Sequence, residues 1–229
     1  MMAFFLIALG YLVGSIPFAY VIVRRAKGID LRRYGSGNVG ASNVMQFLGL
    51  RGFMLIALLD IAKGASVVLV AQALNRPELE KALTGLATIA GHNWPIYLRF
   101  HGGRGVAAIA GVISVLVPQA SLIVVPLTLA LLGLSRDGAI STGVGLLLLP
   151  LVALALYGPG VLFLGCLGLS LMAFAKRLQG SPGPAAGMET PRPRRLFYRL
   201  LYDRDVRDRD AWVTRRPDDQ ASSKGPAEE

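Results

Sequence analysis

The residues best suited to chemistry lie in a glycine-rich stretch at 28–46. It contains four glycines and four side chains that donate or accept hydrogen bonds, namely Ser36, Asn38, Ser42 and Asn43. Because glycine adopts conformations closed to other residues, Gly35 and Gly37 allow a sharp turn that points successive backbone N–H groups at an anion. The spacing is neither a Walker A loop nor a dinucleotide-binding fingerprint. The stretch therefore predicts either an anion-binding loop or an ordinary turn between helices.

A second cluster lies at 91–105, where Gly102, Gly103, Arg104 and Gly105 directly precede an apolar segment. Free backbone N–H groups, the positive end of a helix dipole and a guanidinium would meet there. Such a helix N-terminus suits phosphate, and short or broken membrane helices use it for anionic ligands. Two plainer interpretations stay open: Arg104 as an ordinary anchor at the membrane surface, and His92 as an interfacial packing residue.

A third polar group, Asp60 and Lys63, lies inside an apolar segment. Ionisable side chains in hydrocarbon are costly and usually face a partner or a cavity. Their spacing places both on one helix face, where they can pair with each other. A structural ion pair and a contact between Lys63 and a ligand are both open interpretations.

Composition indicates which elements position these residues. The chain has 229 residues, of which 53% are hydrophobic and only 17% charged, and its mean hydropathy is +0.52. Globular domains usually carry about 25% charged residues. The charges are concentrated between long apolar runs and towards the C-terminus. We therefore predict a membrane domain over 1–178 and a polar, partly disordered tail over 179–229.

The same counts argue against metal chemistry. Cys166 is the only cysteine, so the chain has neither an internal disulfide nor a Cys-x-x-Cys site. The two histidines have no zinc-ligand spacing. We expect no metal and no cofactor.

Hydropathy predicts an all-α integral membrane protein with seven transmembrane or partly spanning helices. A span needs about 20 mostly apolar residues. The predicted spans are 2–23, 52–74, 82–98, 105–118, 119–134, 138–157 and 159–175. Pro118 and Gln119 divide a long uncharged stretch into two, of which 105–118 would be about 20 Å long as a helix and would cross only part of the bilayer.

The distribution of basic residues predicts the orientation. The loops after spans one, three and five and the tail contain most of the arginines outside the spans, whereas the opposite loops have only Arg76 and Lys81, offset by Glu78 and Glu80. The positive-inside rule therefore places the N-terminus outside and the C-terminus in the cytoplasm. All three polar groups then face the cytoplasm, which predicts a site there for a phosphate-bearing substrate with a lipid tail.

The tail contains one amphipathic segment near 194–203. Leu196, Phe197, Leu200 and Leu201 share one helical face, with arginines opposite. Such a helix could lie on the anionic cytoplasmic leaflet or stand as a short solvated helix, and the pattern leaves both open. Because the tail's net positive charge is small, we expect no nucleic-acid partner.

Four ordered motifs resemble the bacterial acyl-phosphate:glycerol-3-phosphate acyltransferases, the PlsY family. They are Gly14-Ser15-Ile16-Pro17, Gly35-Ser36-Gly37-Asn38-Val39-Gly40-Ala41-Ser42-Asn43, Asp60-Ile61-Ala62-Lys63-Gly64, and the stretch from Gly91-His92 to Gly105. The motifs match over about 1–110, and the hydropathy extends the match to about 178. The tail is not covered by the resemblance.

The resemblance implies an enzyme of the bacterial inner membrane with a cytoplasmic active site. Its partners would be membrane lipids and the two substrates, acyl phosphate and glycerol 3-phosphate; the product, formed by acylation of the 1-hydroxyl, would be lysophosphatidic acid. Ser36 and Arg104 would be catalytic. The implied substrate-binding residues are Gly35, Gly37, Asn38, Ser42, Asn43, Lys63, His92, Gly102, Gly103 and Gly105.

The chain departs from the family pattern at three places. Gln46 stands where the family usually has arginine, and Arg104 stands where it has lysine. A histidine and an asparagine that close the family's last span are missing, since the chain has no histidine after 101 and no asparagine after 93. Basic residues close in the topology could compensate, namely Arg136, Lys176 and Arg177.

These departures leave two alternatives to the enzyme. A family member that has lost acceptor chemistry could bind acyl phosphate or regulate a partner. A small membrane transporter would explain charged residues within a span. It would not explain why the glycine-rich clusters gather on one side, so we favour it least.

Overall fold

The computed structural model describes residues 1–180 and 191–214, and it is largely helical over those ranges. Ten α-helices follow one another among the described residues: α1 (Met2–Gly14), α2 (Phe18–Lys27), α3 (Ala41–Ala73), α4 (Glu78–Asn93), α5 (Val106–Leu116), α6 (Pro118–Ser135), α7 (Gly138–Tyr157), α8 (Val161–Gln179), α9 (Arg192–Tyr202) and α10 (Arg209–Val213). Helices α3 to α8 pack around one cluster of buried apolar side chains, and α2 packs with the first part of α3 around a second.

Within residues 1–180 and 191–214, five helical segments are long and apolar enough to cross a membrane. They are α1 with α2 taken together, α3, α6, α7 and α8. Large apolar side chains point away from the bundle, as Leu122 and Leu134 do with 76% and 87% of their surface exposed, which suits contact with lipid. The predicted all-α membrane fold is confirmed. The predicted count of seven spans depends on α4 and α5, which have 16 and 11 residues, and stays a prediction.

The first predicted span, 2–23, is wrong as a continuous helix. The helix stops at Gly14 and restarts at Phe18, and Pro17 between them has φ −95° and ψ 69°. Proline has no N–H to donate and its ring clashes with the preceding turn, which favours a break in the helix at this point. The break removes backbone hydrogen bonds in the middle of an apolar segment.

The second predicted span, 52–74, matches the later part of a longer helix. Helix α3 starts at Ala41, so residues 41–46, which were predicted to be loop, are helical. Gly49, with φ 63° and ψ −165°, interrupts the helical geometry. The part of α3 after this kink corresponds to the predicted span at 52–74. Pro118 divides α5 from α6 as predicted, whereas α4 ends at Asn93 and not at 98.

The predicted amphipathic helix of the tail is present as α9, and its four apolar side chains are between 37% and 57% exposed. A short helix, α10, follows it. The disorder predicted for the tail concerns mostly residues 181–190 and 215–229, which lie outside the described residues. The described tail segment, residues 191–214, packs against the bundle.

Two helix pairs cross at glycines with their backbones in contact. A Cβ on Gly64 of α3 would lie 2.1 Å from the Ala108 carbonyl oxygen of α5, and one on Gly111 of α5 would lie 2.0 Å from that of Ile61. The α1–α4 crossing is built similarly, with Gly14 and Gly91 each facing a backbone carbonyl. Small residues drive close helix association in membranes, where lipid tails are as apolar as leucine. The glycines therefore set the spacing of the helices that carry the polar groups.

A single methyl group added at the α3–α5 crossing should destabilise the folded protein. Gly64→Ala should lower the free energy of unfolding by about 2 kcal/mol or more, because the clash is with backbone and cannot be relieved by a rotamer change. Gly133→Ala on α6 is the control, because nothing lies within 4 Å of its Cβ position. The measurement is thermal unfolding of both purified variants in detergent. Equal stability of the two would contradict the close crossing.

Candidate active site

Four parts of the chain meet at one end of the bundle, which we call the loop end. They are the α2–α3 loop (28–40), the α4–α5 loop (94–105), the α6–α7 turn (136–137) and the tail segment. A Cβ on Gly103 would lie 2.8 Å from the Val39 carbonyl oxygen, and one on Gly35 would lie 3.0 Å from that of Val213. The clusters singled out in the sequence are therefore neighbours.

The α2–α3 loop is held together by the side chain of Asn43, which is 1% exposed. Its Oδ1 accepts from the Ser36 backbone N–H and from Gln46 Nε2, each at 3.3 Å. Its Nδ2 donates to the backbone carbonyls of Leu31, Tyr34 and Asn38. Asn43 thus shapes the loop, and Gly35 and Gly37, with φ of 57° and 68°, turn it. Gln46 serves the same network.

Two side chains of this loop keep hydrogen-bonding capacity. Ser36 Oγ accepts from the Asn38 N–H at 3.3 Å, and its own hydrogen has no acceptor among the described residues. Asn38 is 6% exposed, and its Oδ1 has no hydrogen-bond donor in the described part of the chain. Ser42, by contrast, is exposed on the first turn of α3. Ser36 and Asn38 are the loop's available polar groups.

A small pocket lies between the α1–α2 break and the α4–α5 loop. Lys63 Nζ donates to the Ile16 carbonyl and to Asp60 Oδ1, each at 2.9 Å, so it satisfies a carbonyl at the helix break. His92 Nδ1 lies 3.7 Å from the same carboxylate oxygen. Ser15 is fully buried at the pocket wall, and its hydroxyl has no partner among the described residues. The pocket wall is therefore polar.

The glycines of the α4–α5 loop allow it to lie directly on His92. A Cβ on Gly103 would lie 2.3 Å from His92 Nε2, and one on Gly102 would lie 2.2 Å from the His92 carbonyl oxygen. The Gly103 N–H donates to that carbonyl at 3.1 Å. Gly105, with φ 75°, is the N-cap of α5. The first turn of α5, whose N–H groups lack intrahelical acceptors, thus begins beside the pocket.

Three basic side chains meet beyond this loop, and we call Arg104, Lys176 and Arg177 the cation cluster. All three are buried, with Arg177 only 2% exposed. Arg177 donates to Thr142 Oγ1 at 2.7 Å and to the Leu200 carbonyl at 3.4 Å. Lys176 donates to Gln179 Oε1 at 3.1 Å. The charge of Arg104 acts on both Lys176 and Arg177.

The acids at this site come from the tail and the α6–α7 turn. Asp203 forms an ion pair with Arg104 and accepts a second hydrogen bond, at 3.2 Å, through its carbonyl. Asp137 lies 3.4 Å from Arg204. Burial raises the pKa of the Asp203 carboxyl, and Arg104 and Arg177 act against that rise. The cation cluster and Arg204 together exceed these two acids by two positive charges.

The structure thus separates the predicted site residues into adjoining groups. Lys63, His92, Gly102 and Gly103 line the pocket, with Ser36 and Asn38 on the adjacent loop. Arg104 is directed towards the tail segment. Sequence reasoning missed Ser15 and Asp203, although the alternating Asp-Arg run from 203 was a visible signal of charge pairing. Arg136 is exposed at the end of α6 and does not join the cluster.

The sequence of the chain is similar to those of known glycerol-3-phosphate acyltransferases. A family model described as glycerol-3-phosphate acyltransferase matches residues 4–179. Glycerol-3-phosphate acyltransferase 5 of Dehalococcoides mccartyi is 39% identical over 212 residues, covering 90% of this chain and 90% of the relative. The glycerol-3-phosphate acyltransferase of Shouchella clausii is 50% identical over 109 residues, covering 47% and 53%. The Dehalococcoides match must extend beyond residue 180 into the tail, because 90% of the chain is matched.

Solved structures agree with the sequence comparison. The crystal structure of PlsY (YgiH), an integral membrane glycerol 3-phosphate acyltransferase, in its glycerol 3-phosphate form has a TM-score of 0.74 and 30% identity, covering 78% of this chain and 90% of that one. Its lysophosphatidic acid form gives 0.72 and 29%, covering 78% and 89%. The chain therefore belongs to the glycerol-3-phosphate acyltransferase family, the PlsY family.

Proposed function

We propose that the chain transfers an acyl group from an acyl phosphate to the 1-hydroxyl of glycerol 3-phosphate and releases lysophosphatidic acid. Acylation of glycerol 3-phosphate follows from the family, and the acyl-phosphate donor is the part that we add. The observation that carries it is the excess of buried positive charge beside a glycine-lined pocket. A donor and an acceptor that both carry phosphate would match such a site.

Acyl transfer from an acyl phosphate does not require a strong general base. An acyl phosphate is a mixed anhydride. Attack by the 1-hydroxyl on its carbonyl carbon forms the ester and breaks the bond between that carbon and the bridging oxygen, which leaves as part of the phosphate. The hydroxyl proton leaves with the phosphate. Positioning of the two substrates and stabilisation of negative charge can therefore supply most of the acceleration. The loop end offers backbone N–H groups and guanidiniums for both tasks.

We assign roles to the site residues according to their surroundings. Ser36, whose hydroxyl hydrogen has no acceptor among the described residues, would bind a phosphate or the acceptor. Arg104 would stabilise negative charge. Asn38, Gly102, Gly103 and Gly105 would receive the acyl phosphate. Three further residues, Asn43, Lys63 and His92, would position these groups, because their side chains already contact the loop, the helix break or the glycines. Gly35 and Gly37 would turn the loop, whereas Ser42, which is exposed on α3, is assigned no contact with substrate.

The missing family residues have candidate replacements. Lys176 and Arg177 lie at the end of α8, close to where the family's histidine and asparagine are expected. Their positive charges attract phosphate over longer distances than neutral hydrogen bonds do. Gln46 contributes no charge. We therefore assign the role of the family's arginine to the basic residues of α8 and not to a residue of α3. These contacts favour an active enzyme over a family member without acceptor chemistry.

We propose a bacterial inner-membrane location with seven crossing or partly crossing segments, the N-terminus outside and the loop end in the cytoplasm. Helices α4 and α5 would be about 24 Å and 17 Å long, less than the roughly 30 Å hydrocarbon thickness. They would therefore cross it incompletely. The arginine-rich loops at the loop end support this orientation. The membrane domain would comprise 1–178, with the tail beginning at 179.

Loss of the Arg104 guanidinium should abolish most activity. Arg104→Ala is expected to lower kcat/KM about 100-fold or more, the usual effect of removing one preorganised charge-stabilising group. Arg104→Lys should retain part of the activity, because it keeps the charge but loses the planar fork. Lysophosphatidate formation from acyl phosphate would be measured in purified, folded protein. Near-normal turnover of Arg104→Ala would contradict the proposed site.

The Ser36 hydroxyl should contribute less than Arg104 does. Ser36→Ala is expected to reduce kcat/KM about tenfold, in line with the loss of one hydrogen bond to a charged substrate. Ser42→Ala is the matched control, since Ser42 is exposed and six positions away. Equal effects of the two substitutions would place the acceptor elsewhere on the loop.

The donor can be tested on the unmodified protein. In lipid, acyl phosphate with glycerol 3-phosphate should yield lysophosphatidate, whereas acyl-CoA should yield none. Product from acyl-CoA alone would overturn the proposed donor and leave the family assignment intact.

The orientation can be tested with single cysteines in a Cys166→Ser background. Pro159→Cys, on the exposed α7–α8 turn, should react with a membrane-impermeant maleimide added to intact cells. Arg33→Cys, exposed near the loop end, should react only after the membrane is opened. The reverse pattern would invert the topology.

A further inference from the structure

The tail segment is fixed to the end of α8 by Arg199. Its Nη1 donates to the carbonyls of Leu178 and Gln179 at 2.9 and 3.0 Å. Its Nε and Nη2 pair with the carboxylate of Asp205. The last carbonyls of a helix have no intrahelical donor, so a side chain that satisfies them is a stable anchor. Helix α9 is thereby held beside the cation cluster.

The backbone at the end of α9 directs Asp203 at the cation cluster. Asp203 is the C-cap of α9, with φ 56° and ψ 33°, a left-handed conformation that ends a helix. This turn brings both its carboxylate and its carbonyl to Arg104. Further along, Trp212 is 4% exposed, and the Val213 carbonyl faces Gly35. The tail segment therefore contacts the α2–α3 loop, the α4–α5 loop and the α6–α7 turn.

We propose that the tail segment is a wall of the active site, and that Asp203 is a positioning residue that orients the Arg104 guanidinium towards the phosphate of glycerol 3-phosphate. This inference rests on the proposed function. It assigns to the tail a part in substrate binding that the resemblance, which ends near 178, does not give it.

The hydrogen bonds favour positioning over obstruction. A guanidinium has five N–H donors in a fixed fork. The Asp203 carboxylate forms an ion pair with Nε of Arg104, and the Asp203 backbone carbonyl accepts a hydrogen bond from Nη2. The Nη1 group of Arg104 is not used by Asp203. A carboxylate on one edge of the fork therefore fixes its plane while other donors stay available.

The balance of charges at the site also supports a positioning role for Asp203. The cation cluster with Arg204 exceeds Asp203 and Asp137 by two positive charges, and a phosphate monoester carries a charge of about −1.5 to −2 near pH 7. Glycerol 3-phosphate by itself would therefore neutralise this surplus with Asp203 in place. Without Asp203 the surplus would be three. The match of the Dehalococcoides relative into the tail fits a segment that belongs to the enzyme.

The test is steady-state kinetics of the full-length protein in lipid, with Asp203→Asn and Asp203→Glu. Asp203→Asn should raise the KM for glycerol 3-phosphate about tenfold, the effect of one charge-assisted hydrogen bond, with a smaller change in kcat. Inhibition by inorganic phosphate should weaken in parallel. Asp203→Glu, which keeps the charge, should recover part of the loss. Asp210→Asn, the same charge change at an exposed position, should match the wild type.

Two results would overturn the proposal. An unchanged KM in Asp203→Asn would mean that Asp203 has no part in acceptor binding. A lower KM would mean that its carboxylate competes with the substrate phosphate. A wild-type protein that makes no lysophosphatidate at all would instead count against the proposed function.

Hydrogen–deuterium exchange of the wild type decides the matter even if Asp203→Asn does not fold. Saturating glycerol 3-phosphate should slow exchange across Tyr202–Arg204, because the substrate would bridge the tail to the cation cluster. Faster exchange would indicate displacement of the tail by substrate, and unchanged exchange would show that the tail is not part of the site. Glycerol is the matched control ligand, since it lacks the phosphate.

Discussion

A hydrocarbon environment that offers no hydrogen-bond partner is the constraint on which the rest of this structure depends. It makes the chain helical wherever it crosses, and it makes each interruption costly. At the α1–α2 break the carbonyl of Ile16 is satisfied by Lys63, and the charge of Lys63 is matched by Asp60. The break, the buried pair and the pocket beside them are thus joined by direct contacts into one arrangement.

The same constraint sends the remaining charges to the loop end. There the bundle holds more buried cations than acids, which is unfavourable in the absence of an anion because buried charges need partners. The tail lowers this cost by supplying Asp203, and substrate phosphates would lower it further. Affinity for anionic substrates and instability of the empty site are therefore two results of one charge surplus.

The sequence was sufficient for the helical membrane fold, for the division at Pro118 and for the amphipathic helix of the tail, because hydropathy and proline act locally. Sequence motifs also located the polar clusters that the structure brings together. Periodicity did not reveal the break before Pro17 or the early start of α3, since both lie in segments of unchanged hydropathy. Nor did it reveal that the Asn43 side chain makes its hydrogen bonds within its own loop region, or that Asp203 contacts Arg104. The contact between Asp203 and Arg104 spans 99 residues, and the contacts of Asn43 depend on the irregular path of its loop, so helical periodicity encodes neither.

The glycine crossings have a consequence for how the family can change. At most packed positions a larger residue on one helix can be accommodated by a smaller one opposite. At the α3–α5 crossing, Gly64 and Gly111 each face the backbone of the other helix, and a backbone cannot shrink. A smaller side chain on the opposite helix cannot relieve such a clash, so a larger residue at either glycine would require the two helices to move apart. Variation must instead accumulate in the outward-facing side chains and in the loop end, where the chain has its unusual residues.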